Sequence, residues 1–138
     1  MTRREVRKHL FCILFESGFY SEEERDAQYE LYWEQQECEP SKEEYDEIYN
    51  KWEAILEKLP QIDELIEKNS KGWKINRIGG ADINILRIAV YEINWDDDVP
   101  LRVAINEAVE LAKVYGTEHS PGFINGILAN IVKLNEEG

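Results

Sequence analysis

Arg3, Arg4, Arg7 and Lys8 stand within the first eight residues of a 138-residue chain whose formal charge is -13. On a helix turning about 100° per residue, they fall at about 0°, 100°, 40° and 140°, on one face. Val6, Leu10 and Ile13 fall near about 300°, on the side that would meet a core. Phe11 and Phe15 come at about 80° and 120°, along the cationic stripe. Cations leading into aromatic rings suit single-stranded nucleic acid. The charges hold phosphates, and a ring offers its face to an unstacked base. Plainer readings exist, because cations pair with nearby acids and phenylalanines mostly lie in cores. Yet cations at the positive end of a helix dipole cost a few tenths of a kcal/mol, up to about 1. That placement points to a use other than helix stability.

The charge distribution sharpens the question. Residues 1–8 carry four cations against Glu5, a local +3, whereas residues 16–67 carry 18 acids and four cations, a local -14. An acidic total argues against nucleic acid. Within a Debye length of about 8 Å, however, the local cluster outweighs the total. Such a small patch is expected to bind weakly alone and to be sensitive to salt.

Catalytic chemistry finds little support. His9 and His119 lie far apart and belong to no HExxH-type ligand pair. The chain has no GxGxxG, no Walker lysine motif and no GxSxG. Asp96, Asp97 and Asp98 are consecutive and lack the spaced oxygens of a calcium loop. They read as a solvated loop with an acid capping the next helix. Cys12 and Cys38 form no CxxC motif and read as buried, inert thiols of a reducing cytoplasm. No secretory signal is legible, and no apolar run approaches the roughly 20 residues of a membrane span. The expectation is a non-enzyme with no cofactor and no metal.

The elements that must position these residues read as helices nearly throughout. Val6, Leu10, Ile13 and Leu14 define the first, closed by Gly18. Ser21 with Glu24 and Ser41 with Glu44 form capping boxes for the next two. Leu31, Tyr32 and Trp33 lie in the second, and Tyr45, Ile48, Tyr49, Trp52, Ile55, Leu56 and Leu59 stripe the third. Pro60 is the best internal boundary. Ile62, Leu65 and Ile66 mark a fourth helix, broken at Lys71-Gly72 and again at Gly79-Gly80. The stretch from Ala81 to Trp95 is apolar around most of its circumference, as a central helix would be. Ala104, Ala108 and Ala112 allow a close helix crossing in the next, which stops at Gly116. Ser120 fits an N-cap and Pro121 the first turn of the last helix. Phe123, Ile124, Ile127, Leu128, Ile131 and Val132 give it a buried stripe.

The fold class is therefore all-α: two small helical bundles, residues 1–60 and 61–138, together one compact domain. Several residues interrupt the apolar patterns and read as structural. Asn106 and Asn125 would satisfy neighbouring backbone or amide groups. Gly126 would permit close backbone approach, since it costs helix propensity of about 1 kcal/mol. Arg87 would pair with Glu107 or Glu110 on the next helix.

The second half, from "ADINILRIAVYEINW" through "FINGIL", resembles the C-terminal half of the NusB family of transcription antitermination factors. The matching pieces are "D..ILRIA.YE" (Asp82 to Glu92), "VP..VAINEAVELAK.YG" (Val99 to Gly116) and "FINGIL" (Phe123 to Leu128). The opening "RRE.R......LF" resembles the family's arginine-rich first helix, with Glu5 interrupting it.

That resemblance implies an all-α RNA-binding factor built from two helical bundles. It would bind a boxA-type single-stranded RNA together with the ribosomal protein NusE. The pair would join RNA polymerase with other Nus factors and promote processive transcription of ribosomal RNA operons. By the same resemblance Arg3, Arg4, Arg7 and Lys8 would contact phosphate, and Phe15, His119 and Phe123 would lie at the RNA. Asp82 and Glu92 would lie toward NusE. The acidic body would suit a basic ribosomal protein. The competing reading is a helical interaction module, a homodimer or adaptor without RNA; homodimers are compatible with both.

Overall fold

The computed structural model describes residues 1–137. Those residues form seven α-helices and no strand: α1 (Arg3–Ser17), α2 (Arg25–Glu34), α3 (Lys42–Glu57), α4 (Leu59–Lys68), α5 (Gly80–Trp95), α6 (Leu101–Tyr115) and α7 (Ser120–Glu137). The all-α expectation holds. The chain divides into two compact units, Met1–Leu56 and a second beginning at Glu57. Pro60 sits in the first turn of α4, where its missing N–H is not needed.

In the N-terminal unit, α1 buries Val6, Leu10, Ile13 and Leu14 as its periodicity predicts. The two capping boxes form. The Ser21 N–H donates to Glu24 Oε1 at 3.2 Å, and the Ser41 N–H to Glu44 Oε1 at 2.8 Å. The first box opens a single 3-10 turn, Glu22–Glu24, which leads directly into α2. The core is an aromatic cluster. Tyr29 stacks on Trp52 with centroids 5.4 Å apart, and Tyr45, Tyr49 and Trp33 meet its edges at 4.9, 5.0 and 6.3 Å. The Tyr29 hydroxyl donates to the Tyr45 carbonyl at 2.6 Å, and burial pushes the phenol up to about 12. Cys38 departs from expectation: it is exposed, on the connection between α2 and α3, and Cys12 is half-buried. A connecting segment follows the surface, so the residue's usual preference for burial does not decide its place.

The C-terminal unit is built around α5, which packs against α4, α6 and α7. Ile85, Leu86, Ile88, Ala89 and Val90 are essentially inaccessible, as the circumferential apolarity of α5 requires. Ala104, Ala108 and Ala112 are buried in α6. The glycine the packing demands is Gly116. A Cβ there would come within 2.5 Å of the Ser120 side chain and 2.9 Å of the Ala112 carbonyl. Ser120 lies inside α7, one position later than an N-cap. Its hydroxyl instead accepts the Thr117 N–H at 2.9 Å. The aspartate run does not cap the start of α6 either; Asp96 stands at the C-cap of α5. Asp96 accepts the Asp98 N–H at 3.1 Å, and Pro100 occupies the N-cap of α6.

Four structural expectations in this unit are corrected. Asn106 and Asn125 are exposed on α6 and α7, so neither satisfies a buried group. Gly126 is exposed too, and a Cβ there would meet nothing within 4 Å. Arg87 takes Asp63 as its partner. Its Nε and Nη2 fork onto Asp63 Oδ1 and Oδ2, each at 3.0 Å, while Nη1 donates to Asn84 Oδ1 at 3.2 Å. Asp63 comes from α4, the preceding helix. Periodicity alone could not tell that neighbour from α6.

Candidate nucleic-acid interface

Thr2 and Glu5 organise the start of α1. The Glu5 N–H donates to Thr2 Oγ1 at 3.1 Å, and that hydroxyl lies 3.1 Å from Glu5 Oε1. Glu5 thus completes a helix cap and sets a negative charge near the positive end of the dipole. This explains an acid within a basic run. Arg3, Arg4 and Lys8 are exposed, and Arg7 is half-buried. The Arg3 guanidinium makes a two-point ion pair with Glu47 of α3. At the chain start the Met1 amine meets Glu44 at 2.7 Å. The Met1 amine and the Ser41 N–H hold the Glu44 carboxyl down at about 2.

The aromatic half of the expected stripe is rearranged. Phe11 is 3% exposed and belongs to the core. Its place near 80° borders the inward face closely enough for packing to claim it. Phe15 is half-buried and touches two rings, Phe11 at 6.1 Å and Phe19 at 5.8 Å. Phe19 is 76% exposed and continues the row one turn further on. The 11, 15, 19 spacing carried that signal, but Gly18 obscured it by ending the helix.

His9 packs against α2, its Nδ1 2.7 Å from the Tyr32 hydroxyl and its ring 4.8 Å from Trp33. Burial first, then the Lys8 charge, hold its pKa below the ordinary 6.5. Protonation therefore favours the unfolded chain. His9 imposes no loss above about pH 6.5, and stability falls as pH drops from there toward the lowered folded value. Urea midpoints should thus decline more between about pH 7 and about pH 5 in the wild type than in His9→Gln. Identical declines would refute the assignment.

The C-terminal unit places its candidates separately. His119 is exposed just before α7, with Nε2 3.4 Å from Glu118. Phe123 is half-buried, and the exposed Trp73 meets it edge to face at 6.5 Å. Asp82 is half-buried in the first turn of α5. Glu92 is 1% exposed and so is no surface contact for a partner. It sits on the same α5 circumference as the central apolar residues, and its place in the matching motif marks an internal group. Glu107, half-buried on α6, also engages other groups of the fold. Sequence reasoning missed Trp73, whose flanking Lys71-Gly72 looked only like a helix break.

No metal-ligand cluster of His, Cys, Asp and Glu occurs among the described residues, and no described helix is long and apolar enough to cross a membrane. An all-α chain with a cationic first helix and exposed aromatic rings defines a helical binding protein. The chain belongs to the NusB family: the family's model matches residues 4–133. The transcription antitermination protein NusB of Lachnoclostridium phytofermentans is 47% identical over 133 residues, covering 96% of this chain and 99% of that one. A structure of T. maritima NusB is similar with a TM-score of 0.85 at 37% identity, covering 96% of this chain and 92% of that one. A structure of the antitermination factors NusB and NusE in complex with dsRNA has a TM-score of 0.83 at 24% identity over 96% of each chain. That last likeness speaks to the fold.

Proposed function

We infer that this chain is a transcription antitermination factor. It binds a boxA-type single-stranded RNA together with NusE and promotes processive transcription of ribosomal RNA operons. The observation that carries the RNA role is the cationic face of α1 on an otherwise acidic protein. It is a binding factor and not an enzyme, and it works in the cytoplasm with RNA polymerase and other Nus factors.

In the N-terminal unit, Arg3, Arg4, Arg7 and Lys8 hold phosphates and Phe15 offers a ring edge. In the C-terminal unit, Phe123 and His119 meet the RNA, and Asp82 faces NusE. The relatives' names support the antitermination role, and the solved NusB–NusE pair supports the partner. The acidic body favours a basic ribosomal protein, whose approach it would steer.

Fluorescence anisotropy of a labelled boxA-like RNA, titrated with this protein with and without the cognate NusE, tests the reading. NusE is expected to tighten RNA binding. Binding to neither would leave the chain a helical adaptor of other partners.

A further inference from the structure

We propose that α3 carries a built-in competitor for the RNA: Glu47 occupies the place of a phosphate on Arg3, and the RNA backbone takes that arginine by displacing it. The proposal rests on the RNA reading above and gives a role to a residue outside the cationic face.

Both helices belong to the N-terminal unit, so the contact lies within one compact body. The capping box fixes the start of α3. Ser41 Oγ accepts the Glu44 N–H at 3.1 Å, while Glu44 Oε1 accepts the Ser41 N–H. Glu44 and Glu47 stand three residues apart, a spacing that puts both on one face of the helix. That face meets the start of α1. Glu44 Oε2 accepts from the Met1 amine at 2.7 Å. Glu47 takes the Arg3 guanidinium at both oxygens, with Nη1 donating to Oε1 at 3.1 Å and Nη2 to Oε2.

A carboxylate and a phosphate offer a guanidinium the same thing: two anionic oxygens matched to two parallel N–H groups. Glu47 therefore gives Arg3 the geometry that an RNA backbone would give it. The helix itself does not call for an acid at this position. Glu43 and Glu44 lie in the first turn of α3, where an acid favours the dipole. Glu47 lies beyond that turn, where the effect has faded.

The pair is also made to open. The Arg3 and Glu47 side chains are 70% and 42% exposed. Exposed ion pairs shift an equilibrium by at most about fivefold. Glu44 differs, because its carboxylate serves the cap as well as the amine. One carboxylate tethers the start of α1, and the other exchanges. Arg7 follows Arg3 by one turn on the same face. A strand already held at Arg7 brings its next phosphate to Arg3 at high effective concentration, so the exchange runs forward. Without a strand, Arg3 stays covered.

The test is a double-mutant cycle, read by anisotropy of the labelled boxA-like RNA with the cognate NusE present. Glu47→Gln should raise affinity about fivefold where Arg3 is present, and less than about twofold in the Arg3→Ala background. Asp46→Asn is the control. Asp46 adjoins Glu47 but pairs with Lys42 of its own helix at 3.1 Å. Its loss removes the same unit of charge and should change affinity less than about twofold. All three sites are exposed, and circular dichroism with urea midpoints checks that each variant is folded. Equal gains from Glu47→Gln with and without Arg3 would show a general field effect and overturn the competitor. No gain in either background would overturn it too, while wild-type binding would leave the RNA reading standing. If the wild type binds no RNA even with NusE, the RNA reading fails and the competitor falls with it.

Discussion

Replacing Arg3, Arg4 and Arg7 together by alanine lowers affinity for a boxA-like single-stranded RNA by at least about 100-fold near physiological salt. A hydrogen bond to a charged group is worth about 1.5–3 kcal/mol net, and each 1.4 kcal/mol is a factor of ten. Three such contacts would exceed 100-fold, but Arg3 already holds Glu47 and must leave it for a phosphate. Its net gain is correspondingly smaller. Glu47→Gln releases Arg3 and shifts affinity the opposite way. Salt gives an independent measure. Three or four phosphate contacts on a single strand imply a log–log slope near about -2 to -3, from about -0.7 per contact. The triple variant should flatten it. A wild-type slope near zero would remove the phosphate-contact account, whatever the affinity.

The second large effect is on stability. Trp52→Ala should cost about 3–5 kcal/mol, measured by urea unfolding, because the indole is 2% exposed and its loss leaves a cavity against Tyr29. Trp52→Phe is the informative companion. The Trp52 N–H is buried without an acceptor among the described residues. Phenylalanine removes that orphan donor while keeping most of the ring, so its cost should stay below about 1.5 kcal/mol. Equal costs for the two variants would overturn this account, because phenylalanine would then fill the space against Tyr29 no better than alanine.

Much of the fold was legible because α-helices announce themselves locally. The stripe on α1, the two capping boxes, the alanine series of α6 and the apolar circumference of α5 all follow from spacings of three and four residues. What failed depended on contacts between helices. Arg87 had carboxylates within reach of either neighbouring helix, and only the packing of α4 on α5 selects Asp63. Phe11 lay at the border of the inward face, where a rotation of a few tens of degrees decides between core and surface. Gly126 and Gly116 look alike in sequence. Three-dimensional neighbours show that Gly116 is required by Ser120, whereas Gly126 faces open space. In the candidate site, the charges were legible from composition. Trp73 was not, because its importance comes from a backbone turn that throws it outward.

The sequential stacking in the C-terminal unit also bears on how the chain reaches its structure. There α4 meets α5, α5 meets α6 and α6 meets α7, so each helix finds a partner within one connection. Closing such short loops costs little entropy, and domains dominated by local pairings fold in microseconds to milliseconds. The C-terminal unit can thus close its core rapidly once α7, its last helix, is available to pack on α6.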